Sequence, residues 1–233
     1  MSSHLKLKFN VTSLSSEYRR IEFTPRHLII AGWTGSNAEA VEKHIKELEE
    51  IGVARPRQTP TFYRLSTNLV SQDGCMDVVG GGATGEAEVI LLKHDGEFYV
   101  GVGSDHTDRH LETFGVTYSK QICAKPIGSE IWPLAEVRGH WDRLVLRSRV
   151  WRNEDWETYQ EGSLDSLLSP DALLAQFADQ NSEFEDTDVM FCGTIPIIGE
   201  FYFSEKMTIE LADTVLNRNL QHEFKVNALQ IAD

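Results

Sequence analysis

Two glutamates at the mouth of an apolar run restrict this chain more than any other feature. Glu86 and Glu88 stand two apart in Gly85-Glu86-Ala87-Glu88, directly ahead of Val89, Ile90, Leu91 and Leu92. On a strand, residues i and i+2 point to one face, so both carboxylates project the same way from what is otherwise a core strand. Like charges this close repel, and burying them unpaired is costly. A divalent cation with a third carboxylate relieves both problems, because hard cations take oxygen ligands. Asp105 follows after enough residues for a hairpin turn and a return strand. Arg109 and Lys120 come next, suited to holding an anionic substrate over such a metal. Spacing alone leaves open a solvated edge strand with its acids outward, against which the apolar run speaks.

The chain has 233 residues, 41% hydrophobic and 25% charged, and can bury a substantial core. Its net charge of −14, with no Lys/Arg cluster, argues against nucleic acid or an anionic membrane as partner. The three cysteines Cys75, Cys123 and Cys192 are odd in number and form no CxxC pair. That argues against a disulfide framework or a thiolate zinc site and fits a reducing compartment. Each is expected as a small apolar residue, buried or semi-buried. MSSHLKLKFN lacks the apolar core of a signal peptide, and no stretch approaches the ~18 apolar residues of a membrane span. The expectation is a soluble cytoplasmic protein.

Strand patterns dominate. His4 to Val11 alternates with Leu5, Leu7 and Phe9 on one face, and His27 to Ala31 is a short apolar strand ending at Gly32. Ser36 and Glu39 form a capping box ahead of Ala38, Val41, Ile45 and Leu48 at helical spacing, and Gly52 is placed to end that helix. Arg55 to Pro60 is a loop and Phe62 to Leu65 a strand. The glycines at 80, 81, 82 and 85 make a turn before the Glu86 strand, which pairs with Phe98 to Val102 through the Asp95-Gly96 turn. Arg143 to Val150 alternates as a half-exposed strand. Ser169 caps a short helix from Pro170 to Ala178, Asn181 to Asp188 is an acidic loop, Val189 to Cys192 is apolar, and strands follow from Met207. With no internal repeat and no dividing linker, residues 1–233 predict a single strand-rich α+β domain.

Further clusters carry possible chemistry. His44 and Glu47 are neighbours on a helix, where a carboxylate can orient an imidazole as a general base; an ordinary surface pair is the alternative. The Asp105-His106-Thr107-Asp108-Arg109-His110 stretch carries too many acids for zinc, leaving His106 and His110 structural and Asp108 to cap a helix. The Val79-Gly80-Gly81-Gly82 run lacks the signature of a phosphate loop. Trp141, between His140 and Asp142, reads as a core aromatic or a pocket wall.

From about Leu28 to Thr194 these segments, in this order, resemble the fumarylacetoacetate hydrolase superfamily. Ala31-Gly32 matches its glycine-bearing strand end, and His44 to Glu47 its H-x-x-E helix. Thr59-Pro60-Thr61-Phe62-Tyr63-Arg64 matches its proline and aromatic strand, with Arg64 where many members have Lys. Glu86 and Glu88 match its E-x-E pair. Asp105, Arg109, His110 and Glu112 match D-x-x-x-R-D-x-Q, Lys120-Gln121 the lysine segment, and Gly193-Thr194 the late G-T. Three departures mark a divergent branch. Glu112 stands for Gln, the interval from Asp105 to Lys120 is short, and Gly32-Trp33-Thr34-Gly35 replaces G-R-N-Y.

The resemblance implies a mixed β-sandwich roll with a few short helices, usually a homodimer, holding Mg²⁺ (or Mn²⁺) on Glu86, Glu88 and Asp105. It implies His44, Glu47, Lys120 and Arg109 as catalytic residues, and Arg64, Glu112, Gln121 and Thr194 as contacts for a small anionic 2-oxo acid. The expected activity is catabolic: hydrolysis of a carbon–carbon bond in a β-diketo acid such as an acylpyruvate. Alternatives are decarboxylation, isomerisation or hydration of a 2-oxo acid at the same metal, or a non-catalytic binding protein.

Overall fold

The computed structural model describes residues 5–15, 19–50, 52–181 and 183–232. His4, expected to open the first strand, lies outside them; the strand is β1 (Leu7–Val11), with Leu7 and Phe9 buried. It pairs antiparallel with β2 (Arg19–Phe23). Next come β3 (His27–Gly32), α1 (Ala38–Glu50), β4 (Thr61–Leu65) and β5 (Cys75–Val79). The apolar run forms β6 (Ala87–His94), which turns through Asp95 and Gly96, at φ 51° and 80°, into β7 (Glu97–Ser104). Two positive φ values in a two-residue turn match the right-handed twist of the strands it joins, and Asp-Gly tolerates them. The chain continues through α2 (Arg109–Glu112), α3 (Val116–Gln121) and β8 (Glu130–Pro133). It ends with β9 (Leu144–Arg152), β10 (Asp155–Ser163), α4 (Pro170–Gln180), β11 (Asp188–Thr194), β12 (Lys206–Asp213) and β13 (Arg218–Leu229).

Among the described residues, eight strands form one mixed sheet in the order β2-β1-β8-β7-β6-β11-β3-β4, and five form a second in the order β10-β9-β12-β13-β5. The eight-stranded sheet is apolar on both faces. Leu28, Ile30, Ile90, Leu92, Val189 and Phe191 join the core of β1 and β2 on one side. The alternating residues Ile29, Ala31, Val89, Leu91, Met190 and Cys192 pack on the other side with Leu144, Leu146, Ile209 and Leu220 of the second sheet. Burial on both faces explains why β6 is a continuous apolar run and not an alternating one. The result is a mixed β-sandwich roll with short helices, as the resemblance implied.

Two local expectations are corrected. The cap of α1 is Asn37, whose Oδ1 accepts from Glu39 N at 2.9 Å and Ala40 N at 3.1 Å, while Ser36 donates its hydroxyl to Asp165 O. Cys75 is exposed on β5, unlike the buried Cys123 and Cys192. Ser169 caps α4 as expected, accepting from Ala172 N.

Candidate functional site

The carboxylates meet where β6, β7 and β11 end together. Glu88 is the second residue of β6 and pairs with Gly103 of β7, so Glu86 falls beside Asp105, whose N–H donates to Glu86 O at 2.9 Å. One oxygen from each of Glu86, Glu88 and Asp105 lies within 4.8 Å of the others. Glu88 is 2% exposed and Asp105 fully buried. On the other side β11 is irregular between Phe191 and Thr194, which aims Gly193 N–H at Glu88 Oε2, 2.8 Å away. Gly193 has φ 95°, and a Cβ there would stand 1.8 Å from Thr34 Oγ1, so only glycine fits. Buried Gln160 locks this corner: Oε1 accepts from Ala87 N and Ser148 Oγ, and Nε2 donates to Thr194 Oγ1 and Ile195 O.

Cations surround the acids from behind. Lys120 donates to Asp105 Oδ2 and to Thr107 Oγ1, and its Nζ lies 3.9 Å from Glu86 Oε2. Lys125, fully buried, donates to His106 O at 2.5 Å and Lys120 O at 2.7 Å, with Nζ 3.1 Å from Asp105 Oδ1. Burial works to raise the Asp105 pKa, but these two ammonium groups outweigh it and hold the carboxyl below its ordinary range. Burial lowers Lys120 less than Asp105, Glu86 and Glu88 raise it, so it stays charged. Glu88 goes the other way: burial, then the charge of Asp105, pushes it well above the carboxylate range.

This donor set fits a hard divalent cation. Three carboxylate oxygens converge, and the buried Glu88 charge is left undercompensated. Glu86, Glu88 and Asp105 are the residues that would hold it.

Above the acids opens a cavity of about 300 Å³. Its walls include Glu86, Glu88, Asp105, Glu112, Lys120, Thr194 and His44. His44 comes from α1, its ring 5.6 Å from that of Trp33 and its Nδ1 3.7 Å from Glu47. Four other expected site residues do not line the cavity among the described residues. The Arg109 guanidinium grips Glu86 at 2.9 Å, Glu112 at 3.0 Å and Thr84 Oγ1 at 2.7 Å, 4.2 Å from the centre of the Phe201 ring. It positions two cavity carboxylates and is not free for substrate. Arg64 is exposed because alternation on β4 turns it outward, and its neighbour Tyr63 lines the cavity in its place. Gln121 is occupied elsewhere, its side-chain oxygen accepting from Ser66 N at 3.1 Å. Glu47 has a side chain 56% exposed and touches His44 from outside. Thr194 does line the cavity, but its hydroxyl donates to Ala87 O and accepts from Gln160, so it frames the floor and offers no spare donor.

Sequence reasoning missed Lys125, Gln160, Trp33 and Tyr63. Lys125 had a signal, a lone cation in the apolar stretch Cys123-Ala124-Lys125-Pro126-Ile127. Gln160 had none, since its neighbours on β10 read as an exposed polar strand.

A family model described as Protein of unknown function (DUF2848) matches residues 31–224. A search of curated proteins finds no match. Among solved structures, a yeast fumarylacetoacetate hydrolase family protein is 18% identical with a TM-score of 0.61, over 88% of this chain and 94% of that one. A 2-keto-3-deoxy-D-arabinonate dehydratase complexed with magnesium and 2,5-dioxopentanoate is 15% identical with a TM-score of 0.62, over 91% and 77%. The protein Cg1458 is 13% identical with a TM-score of 0.64, over 92% and 85%. At these identities the likeness is one of fold.

Proposed function

The chain belongs to the DUF2848 family, and on that footing, with its fumarylacetoacetate hydrolase fold, we propose that it is a metal-dependent enzyme that cleaves a carbon–carbon bond in an acylpyruvate-like 2-oxo acid. One observation carries this reading: three converging carboxylates, with Glu88 buried and undercompensated, at the floor of a substrate-sized cavity. A solved relative in fold that holds magnesium and a 2-oxo acid supports it.

When bound, the cation supplies Lewis-acid stabilisation to the 2-oxo acid carboxylate and the charge that develops beside it. Lys120 adds a fixed ammonium at the same floor, while Arg109 and Gln160 keep Glu86 and the Ala87 backbone in place. His44 takes a proton from water through the ring nitrogen not facing Glu47. The hydroxide adds to the distal carbonyl and the adjacent carbon–carbon bond breaks. Its electron pair passes to the 2-oxo acid fragment, and the imidazolium returns the proton there. The products are pyruvate and a carboxylic acid.

A second reading is isomerisation or decarboxylation on the same floor, two of the alternatives above and the two that need no activated water. The position of Glu47 favours it: half-exposed and 3.7 Å from His44, it orients the imidazole weakly for water activation.

A product-resolved assay separates the two. Incubate the protein with Mg²⁺ or Mn²⁺ and several acylpyruvates and oxaloacetate, and identify products by mass. Pyruvate plus a carboxylic acid, absent with Glu86→Ala and reduced ~10²–10⁴-fold with His44→Ala, is expected. Full activity in His44→Ala removes the base assignment. Carbon dioxide or an isomer selects the second reading.

A further inference from the structure

The way this cavity is walled says what the far end of its substrate is made of. Trp33 has φ 61°, a left-handed backbone that is an outlier for a bulky residue and persists only where its surroundings hold it. Here they do. The indole N–H donates to Tyr63 Oη at 3.3 Å, and the indole ring lies 5.6 Å from that of His44. Gly32 makes room for this pair, since a Cβ there would meet the Tyr63 ring at 2.9 Å. Val41 and Leu48 of α1, Val116 of α3 and Pro196 add apolar surface to the wall.

The charges point the same way. Among the described residues four carboxylates line the cavity, Glu86, Glu88, Asp105 and Glu112, against one ammonium, Lys120. The nearby cations are committed, Arg109 to Glu86 and Glu112, and Lys125 to buried carbonyls and Asp105. Arg55 and Arg57 line a neighbouring groove that shares Tyr63 and Val116 with the cavity, and neither lines the cavity itself. Apart from His44 and Lys120, which Asp105 already holds, a carboxylate packed against Trp33, Tyr63 and the aliphatic wall would meet no cationic side chain lining the cavity among the described residues, and an unpaired buried charge is costly.

We propose that Trp33 and Tyr63 are specificity-determining residues that select 2-oxo acids with a flat apolar distal group and reject those with a second carboxylate. This rests on the metal-dependent reading above. The aryl group would pack on the Trp33 indole while the 2-oxo acid head meets the carboxylate floor.

The test compares acylpyruvates ending in phenyl, methyl and carboxylate, with Mn²⁺, by kcat/KM and by calorimetric binding. The phenyl compound is expected ~10-fold or more above methyl, and the carboxylate compound ~10-fold or more below methyl. Trp33→Ala should erase most of the phenyl advantage, chiefly through KM, and Trp33→Phe should restore it. The wild-type ranking needs no variant to fold. A carboxylate compound equal to or better than phenyl overturns the proposal, the more so if Arg57→Gln abolishes that preference. An unchanged phenyl-to-methyl ratio in Trp33→Ala overturns it too. If the methyl compound also fails to bind, the underlying 2-oxo acid reading falls, and this inference with it.

Discussion

His222 of β13 lies with its ring 5.7 Å from that of Phe224 and its Nε2 buried without a hydrogen bond among the described residues. Burial pulls its pKa below the ordinary 6.5, only partly opposed by a hydrogen bond at the Asp73 backbone. The folded chain therefore keeps this imidazole neutral after the unfolded chain has begun to take a proton. Its contribution is fully present above pH 6.5 and is lost as pH falls toward the lower folded value. One proton is worth at most ~1.4 kcal/mol per pH unit in that window. Denaturant unfolding from pH 7.5 down to 5 should show a shallower decline for His222→Phe than for the wild type. Parallel curves would mean His222 titrates alike in both states. The residues of the site were unevenly legible. Glu86, Glu88 and Asp105 could be read because paired acids before an apolar run demand a cation. Arg109 could be seen but not its use, since nothing local says whether a guanidinium serves a substrate or grips Glu86 and Glu112. Gln160 joins β10 to β6 and β11, a closure that exists only in the fold.

Elements followed local rules more faithfully than their exact ends. The Asp95-Gly96 hairpin was legible because few residue pairs accept two positive φ values in succession. The α1 pattern was legible too, yet its cap moved by one residue. Ser36 is drawn to Asp165 O by a tertiary contact, and the Asn37 oxygen takes the two free N–H groups. Asn37→Ala should therefore destabilise by ~1 kcal/mol, within the usual range for a lost cap, and Ser36→Ala by clearly less. Because α1 carries His44, Asn37→Ala should also lower kcat/KM. Denaturation midpoints of both variants decide it, and an equal loss from Ser36→Ala would restore the capping box. Arg64 shows the limit of pattern reading: the register of β4, not its composition, decides that Tyr63 faces the cavity and Arg64 solvent.

At the scale of the whole molecule, stability and site oppose each other. The faces of the eight-stranded sheet are filled with apolar side chains, and the sheet ends in a carboxylate cluster that burial disfavours. Glu88 has the largest reason to be unstable there, since burial and Asp105 both raise its pKa. An acid with a raised folded pKa is most at ease below its unfolded value of 4.5 and costs stability as pH rises, so at pH 7.5 the cost is present. A cation that binds only the folded chain reverses it by mass action, adding ~2.7 kcal/mol at a hundred times its Kd. For a chain of this length that is a rise in Tm of roughly 5–10 °C. Glu88→Gln keeps an acceptor for Gly193 N–H and removes the buried charge. In chelator at pH 7.5 it should melt at or above the wild type, yet gain nothing from Mg²⁺ or Mn²⁺. This pairing is what a functional carboxylate held against its environment produces. Melting curves of both proteins, with chelator and then with millimolar metal, test it directly. A wild type whose Tm is unmoved by either ion would remove the metal from the mechanism. A Glu88→Gln variant less stable than the wild type in chelator would instead make Glu88 a structural residue whose hydrogen bond to Gly193 matters more than its charge.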